Sequence, residues 1–120
     1  MKKKAVYIEV AVALPVDKTL TYRVPDHLAE GVTIGKRALV PLGRRQVNGY
    51  ILNVAAATEI KAPKPIIDSP DNQALFPPDM VDLFIWMADY YFFPLGLVIK
   101  NALPGGLNTR EQKALSITPR

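Results

Sequence analysis

The part of the sequence that most restricts the possible folds is GKRALVPLGRRQVNGYILNV, residues 35–54. Two apolar runs, 38–40 and 50–54, predict two β-strands. Turn residues lie between these runs: Pro41, Gly43, Asn48 and Gly49. Because proline has no N–H to donate to a sheet, Pro41 is expected at a strand end or on an edge strand. The stretch therefore predicts a β-hairpin around which the other elements are arranged.

Cationic side chains surround the predicted hairpin connection, namely Lys36, Arg37, Arg44 and Arg45. A rigid β-scaffold that presents cations beside glycines can hold the phosphates of a nucleic acid. The same charges also keep a hairpin soluble and protect its edge from pairing with another strand. The local sequence leaves both interpretations open.

Strands precede helices along the chain. Alternation over 5–12 predicts a strand with one apolar face, and 19–24 predicts a second strand. Residues 66–68 predict one more edge strand. After the proline pair 77–78, apolar residues at helical spacing predict a helix that ends at Pro94, with this stripe: Met80, Val81, Phe84, Met87, Ala88 and Tyr91. A second short helix is predicted over 95–103.

This order predicts an α+β, mainly β fold, a small OB-like or SH3-like β-barrel followed by a short helical segment. The predicted domain covers residues 1–104, with the β part over about 5–67 and the helical part over about 78–103. Residues 105–120 have no core-facing pattern and are predicted to form a linker or tail.

The composition excludes several classes of function. The 120 residues contain no cysteine and a single histidine, His27, so a disulfide framework, a thiolate zinc site and a Cys–His dyad are excluded within this chain. No apolar run is long enough to span a bilayer, and the lysines at 2–4 are not followed by a signal-peptide pattern. We expect a cytoplasmic, non-catalytic chain without a membrane partner, whose net charge of +4 suits a polyanion.

Aromatic residues concentrate near the end of the first predicted helix: Trp86, Tyr90, Tyr91, Phe92 and Phe93. Such a cluster can stack on bases, but the residue pattern favours rings packed in a core, with Tyr90 or Phe92 nearest the surface. Two hypotheses remain open from the residues alone. One is a nucleic-acid-binding module with a basic barrel face. The alternative is an SH3-like protein-interaction module that binds a peptide or partner protein.

Three motifs together resemble the amino-terminal domain of the primosomal protein N′ (PriA) family of replication-restart DNA helicases. They span residues 12–25, residues 35–45 with 49–51, and residues 86–96 with 102–104. The resemblance implies a domain that binds the 3′ end of the nascent leading strand at stalled or abandoned replication forks. It implies no enzymatic activity for this fragment, whereas full-length members are ATP-dependent 3′–5′ DNA helicases.

The resemblance also implies cofactors and partners. ATP, magnesium and zinc belong to other parts of full-length members, and no cofactor is expected in this fragment. The implied partners are replication-fork DNA with its 3′ ends and, through other domains, primosome proteins and single-stranded DNA-binding protein. The tail after Pro104 would lead into a winged-helix domain.

The family's terminal-nucleotide pocket, carried over residue by residue, falls on Leu20, Thr21, Tyr22, Gly43 and Lys61. Phosphate contacts are expected from Lys36, Arg37, Arg44, Arg45 and Lys64, with Lys64 also an alternative to Lys61 in the pocket. Leu20 stands where the family has an aromatic residue. Thr21 stands where the family has an acid, so the expected acceptor is a neutral hydroxyl. Gly43 has no side chain, which allows its backbone to approach a sugar or base closely.

Overall fold

The structure is a computed structural model that describes residues 5–16 and 18–103. Along the chain it contains β1 (Val6–Val12), β2 (Leu20–Val24), a 3-10 turn (Asp26–Leu28), β3 (Arg37–Leu42), β4 (Arg45–Ala55), α1 (Met80–Tyr91) and α2 (Leu95–Ala102). Strands come first and helices last, so the predicted α+β, mainly β class is confirmed. The predicted tail over 105–120 lies outside the described residues.

The four strands form one antiparallel sheet in the order β2-β1-β4-β3. The sheet curls into a half-barrel whose concave side holds an apolar core. The alternation in β1 is confirmed, because Ile8, Val10 and Val12 are buried in this core. The other strands and the segment after β4 contribute the rest of it: Tyr22, Val24, Ala38, Val40, Val47, Ile51 and Ile66.

The central hairpin is tighter than the sequence predicted. β3 and β4 continue to Leu42 and Arg45, which leaves a two-residue turn of Gly43 and Arg44. A single glycine with φ of +62° is sufficient to reverse the chain, so no wide turn is needed. The predicted turn residues at 48–49 therefore lie within β4, where a Cβ at Gly49 would collide with Val10 on β1.

Pro41 lies near the end of β3, an edge strand of the sheet, as predicted. The N–H and C=O of Leu39 bond away from β4, to the segment at 67–68. Backbone groups two residues apart on a strand point the same way, so the nitrogen of Pro41 also faces away from β4. Proline at this position therefore removes no bond from the β3–β4 ladder.

Residues 64–68, which we call the closing segment, span the gap between the two edge strands. On β2, Arg23 donates its N–H to the Lys64 carbonyl at 2.8 Å and accepts from the Ile66 N–H at 2.9 Å. On β3, Leu39 donates its N–H to the Asp68 carbonyl at 2.8 Å. The predicted strand at 66–68 is present only as isolated bridges, and the prolines at 63 and 65 restrict longer pairing. The closing segment completes the barrel.

The two helices cover part of the convex face of the sheet. α2 lies against β1 and β4, and α1 packs mainly against α2. A second core forms here, where the Phe84 ring meets Phe76 edge to face with centroids 5.1 Å apart. The predicted stripe on α1 is confirmed except at Tyr91, which is exposed. Within the described residues no single helix could span a membrane; α1 and α2 meet the length and composition criteria only together, across a 115° bend.

The aromatic residues near the end of α1 are exposed, so the prediction that they pack in the core is wrong, whereas the prediction that Tyr90 or Phe92 lies nearest the surface is confirmed by Phe92. Trp86, Tyr90, Tyr91 and Phe92 are between 57% and 94% exposed, and Phe93 is 43% exposed. Because α1 packs on α2 rather than flat on the sheet, only one side of the helix is covered. The Trp86 and Tyr90 rings stack on each other on the open side, with centroids 5.1 Å apart.

Candidate functional site

A shallow recess lies on the part of the convex face that the helices leave open. Its volume is about 220 Å³, and its lining residues are Tyr7, Ile8, Glu9, Thr21, Asn53, Ala55, Ala57 and Thr58. Thr21, Glu9 and Asn53 are direct cross-strand partners on β2, β1 and β4. The recess is therefore built around a row of three polar side chains held on three adjacent strands.

A β-bulge positions this row. The register of β1 against β4 shifts between Glu9 and Val10, so that Val10 faces Ile51, Glu9 faces Asn53 and Leu52 is the extra residue. Bulges redirect side chains and often lie beside functional sites. Here the Leu52 side chain is buried in the core that the helices cover, and Asn53 is exposed beside Glu9.

The Glu9 carboxylate is held in place by a neighbour on the same face. The Thr19 hydroxyl donates a hydrogen bond to Oε2 of Glu9 at 2.6 Å, the short distance typical of a charged acceptor. The Asn53 side-chain oxygen accepts from the Val54 N–H at 3.0 Å, so its amide nitrogen is not used in that bond. The recess thus presents a carboxylate, an amide and hydroxyl groups.

The three β2 residues predicted for the terminal pocket do not all lie on the same face of the strand. Thr21 lines the recess, whereas Leu20 and Tyr22 point into the barrel. Tyr22 is only 4% exposed, and burial raises the pKa of its hydroxyl above the usual value. Its ring therefore cannot line a surface pocket.

Tyr22 nevertheless connects the predicted residues. Its hydroxyl donates to the Pro41 carbonyl at 2.8 Å, which ties β2 to β3 two residues before Gly43. Thr21 is adjacent to Tyr22, and its backbone N–H and C=O point to the same open edge as those of Arg23, by the two-residue repeat of a strand. Tyr22 thus links the strand that carries Thr21 to the strand that leads into the Gly43 turn.

The hairpin tip is accessible. Gly43, Arg44 and Arg45 are exposed, and a Cβ added to Gly43 would meet nothing within 4 Å. The positive φ of Gly43 and the empty space beside it leave the backbone open to a close approach by a ligand. Two guanidinium groups adjoin this opening.

The two candidate lysines lie on the segment that borders the recess. Ala57 and Thr58 line it, Lys61 follows, and the chain returns to β2 where the Lys64 carbonyl accepts from Arg23. Both lysines are exposed, and Lys64 is the one whose backbone is bonded to β2.

Arg23 was missed by the sequence interpretation. It is exposed and lies two residues from Thr21 on the same face of β2. The alternation that places Tyr22 and Val24 inside the barrel also places Thr21 and Arg23 outside, so this signal was present in the sequence.

Lys36 and Arg37 lie far from the hairpin tip. They precede and begin β3, so that strand separates them from Arg44 and Arg45 by about 20 Å at roughly 3.3 Å per residue. Lys36 donates to the Gly31 carbonyl at 2.7 Å. The four cations that are close in sequence therefore form two separate groups.

Arg37 is engaged by an ion pair with Asp71. Its guanidinium contacts the carboxylate at 2.8 Å, and its backbone N–H donates to the same carboxylate at 2.8 Å. The hydrogen bond to Asp71 raises the pKa of Arg37. Burial alone would raise the pKa of Asp71, but the hydrogen bonds from Arg37 lower it below the usual value. A phosphate would have to compete with Asp71 for this side chain.

A second, larger depression of about 450 Å³ lies between the β1–β2 connection and the α1–α2 junction. Lys18 and Thr19 form one wall, and Ile85, Ala88, Asp89, Phe92, Phe93 and Leu95 form the rest. Thr19 in this wall bonds Glu9 in the recess, so the two depressions are neighbours on the convex face.

The resemblance assigns zinc and nucleotide-linked metal sites to other parts of full-length members. This chain has no cysteine, and the described residues contain no group of three or more histidine, aspartate or glutamate side chains that could hold a metal ion.

Comparisons with known proteins identify the family. The family model of the PriA 3′DNA-binding domain (3′BD) matches residues 9–104. The replication restart protein PriA of Chlamydia pneumoniae is 36% identical over 98 residues, covering 82% of this chain and 13% of the relative. Those of Haemophilus influenzae and Bacillus subtilis are 32% and 27% identical, covering 87% and 85% of this chain.

The chain spans 13–14% of the length of these three relatives. Family and fold agree with the resemblance drawn from the three sequence motifs. The chain belongs to the PriA 3′DNA-binding domain family, whose members are DNA-binding domains of replication restart proteins.

Proposed function

We propose that this chain binds the 3′ end of the nascent leading strand at stalled or abandoned replication forks, independently of sequence. The terminal nucleotide lies at Thr21, between the polar recess and the Gly43 turn. Arg44 and Arg45 on one side, and Lys64 on the other, hold the adjoining phosphates. Phosphate contacts of this kind fix position without reading bases, which suits a protein that acts at forks of any sequence.

The observation that carries this proposal is the position of Thr21. It lines the recess with its side chain, faces an open edge with its backbone, and lies next to Tyr22, which is bonded to the strand leading into Gly43. Ala57 and Thr58 line the same recess, and Lys61 and Lys64 follow them along the chain. The recess thus offers hydroxyl and backbone groups for a sugar, and exposed cations outside its lining supply the phosphate contacts that we propose.

The geometry favours Lys64 over Lys61 as the pocket lysine. The Lys64 backbone is fixed to β2 by the bond from Arg23, whereas Lys61 lies on a connection with fewer constraints. Arg23 joins the phosphate-binding set, since it is exposed beside Lys64 on the face that carries Thr21. Arg37 leaves this set because Asp71 already neutralises it.

The remaining parts of the proposal concern the longer protein. There the chain forms a domain over residues 1–104, and the tail leads to winged-helix and helicase domains. The 3′–5′ helicase activity, ATP, magnesium and zinc belong to those other domains, as do contacts with primosome proteins and single-stranded DNA-binding protein. This fragment binds DNA and hydrolyses nothing, and the whole protein acts in the cytoplasm.

A titration of the 120-residue chain against labelled fork DNA, with and without a leading-strand 3′ end, tests the proposal. We expect tighter binding to the fork with the 3′ end at two salt concentrations, and weaker binding when that end carries a 3′-phosphate. Equal affinity for all three forks would refute 3′-end recognition.

The exposed aromatic side chains on α1 support one alternative, a protein-interaction module. Contiguous exposed apolar groups often mark binding surfaces. Binding to an apolar surface responds weakly to salt, whereas phosphate binding weakens steeply between 50 and 200 mM salt. A partner whose affinity is independent of salt and lost on Trp86→Ala substitution would favour the alternative.

A further inference from the structure

Glu9 is the only carboxylate among the residues that line the recess. The direct neighbours of Glu9 in the polar row are uncharged, Thr21 on one side and Asn53 on the other. In the described part of the chain the single ion pair is that of Arg37 with Asp71, so Glu9 forms no ion pair with a described cation. A negative charge is thus held within a surface proposed to bind a polyanion.

The Glu9 side chain is held in position by a hydrogen bond. The Thr19 hydroxyl bonds Oε2 of Glu9 at 2.6 Å, which leaves Oε1 as an acceptor. The β-bulge at Leu52 keeps Asn53 beside the carboxylate and leaves the recess open. A carboxylate that is fixed by a donor at the edge of a recess accepts hydrogen bonds from O–H or N–H groups and repels phosphates.

We propose that Glu9 selects the free 3′-hydroxyl of DNA. Its carboxylate accepts a hydrogen bond from that hydroxyl and repels a 3′-phosphate or a continuing phosphodiester. This inference rests on the proposed function and deepens it. An ordinary phosphate site would accept any backbone position along a strand. A carboxylate across from Thr21 makes the terminal sugar, which carries a hydroxyl donor and no phosphate on that oxygen, the only backbone position that fits.

The experiment measures the ratio of dissociation constants for a recessed duplex that ends in a 3′-phosphate and the same duplex that ends in a 3′-hydroxyl. Glu9→Gln preserves shape and an acceptor oxygen but removes the charge. We expect affinity for the hydroxyl end to fall about fivefold, and affinity for the phosphate end to rise by a similar factor. The ratio should therefore fall by about 25-fold.

Two further variants make the result specific. Glu30→Gln, on an exposed turn, makes the same change in net charge and should leave the ratio unchanged. Thr19→Val keeps the Glu9 charge but removes its orienting donor. It should weaken binding to the hydroxyl end and still reject the phosphate end, and it decides the question if Glu9→Gln does not fold.

The outcomes separate the two proposals. A wild-type chain that prefers the hydroxyl end, with a Glu9→Gln variant that does not, supports selection by Glu9. A wild-type preference that survives Glu9→Gln overturns the role of Glu9 and leaves 3′-end binding standing. A wild-type chain that binds both ends equally overturns the proposed function itself.

Discussion

The separation of the cations into two groups makes a quantitative prediction about salt. We compare the double variant Arg44→Gln/Arg45→Gln, at the hairpin tip, with Lys36→Gln/Arg37→Gln, at the far end of β3. Both remove two positive charges from one stretch of sequence. Only the first pair borders the Gly43 opening, and Arg37 in the second is already paired with Asp71 at 2.8 Å.

The expected magnitude follows from counterion release. On duplex DNA each phosphate contact contributes about 0.9 to the slope of log affinity against log salt concentration. Losing contacts from both Arg44 and Arg45 therefore lowers the slope by about 1.8. Between 50 and 200 mM salt this difference corresponds to about twelvefold less loss of affinity than in the wild-type chain. The other double variant should keep the wild-type slope.

Fluorescence anisotropy with a labelled recessed duplex, at four or more salt concentrations, gives the slopes. Thermal unfolding of each variant fixes a temperature at which all chains are folded, which matters because loss of Arg37 leaves Asp71 without its partner. If Lys36→Gln/Arg37→Gln lowered the slope as much as Arg44→Gln/Arg45→Gln, DNA would have to contact the far end of β3, and our placement of the phosphate path would be refuted.

Three other predictions concern single residues. Tyr22→Phe removes the donor to the Pro41 carbonyl and should lower the free energy of unfolding by about 1 kcal/mol in urea denaturation, where an unchanged midpoint would contradict the hydrogen bond. Gly43→Ala should lower the free energy of unfolding by about 1 kcal/mol, because the φ of Gly43 is +62°. The loss of DNA-binding free energy should be larger, since the new Cβ enters the open space beside the turn. Unchanged DNA affinity would contradict a close approach of DNA to Gly43. Asp71→Asn tests the lowered pKa of Asp71. The Asp71 carboxylate stabilises the wild-type fold fully above the unfolded-state pKa of about 3.9, and this stabilisation is lost as pH falls through the lower folded-state pKa. In acid unfolding followed by circular dichroism, the wild-type chain should therefore lose stability below about pH 4 more steeply than the variant, and equal pH dependence would contradict the lowered pKa.

The strands were predictable because one-sided burial leaves a two-residue repeat in the sequence. The alternation in β1 places Ile8, Val10 and Val12 in the core, as observed. The hairpin turn was less accessible to this reasoning. Asn48 and Gly49 are typical turn residues, but Gly49 is required here by the close approach of Val10 on a neighbouring strand, which sequence spacing does not reveal.

The aromatic residues on α1 show a second limit. Helical spacing identifies a wide apolar stripe, but it does not show how much of that stripe a neighbouring element covers. Phe84 is buried, and Trp86 is exposed, because α1 rests on α2 rather than on the sheet. Hydrophobic content alone could not separate these two residues.

The candidate site was predictable in part. The resemblance led to Thr21, which lines the recess, and to Gly43, which is exposed at the hairpin tip; their role in binding stays a prediction. It could not lead to Glu9 or Asn53, since their proximity to Thr21 depends on strand register and on a bulge. Alternation in β1 and β2 does assign Glu9 and Thr21 to outer faces, which is the one local signal that was available.

The closing segment has a consequence for the backbone around Lys64 before a ligand binds. Lys64 at its beginning is bonded to β2, and Asp68 at its end is bonded to β3. Displacing the backbone of this segment would therefore require breaking its bonds to both edge strands. A ligand that contacts this segment spends little binding free energy on ordering it, so the 3′-end recognition that we propose does not depend on a loop that closes around the nucleotide.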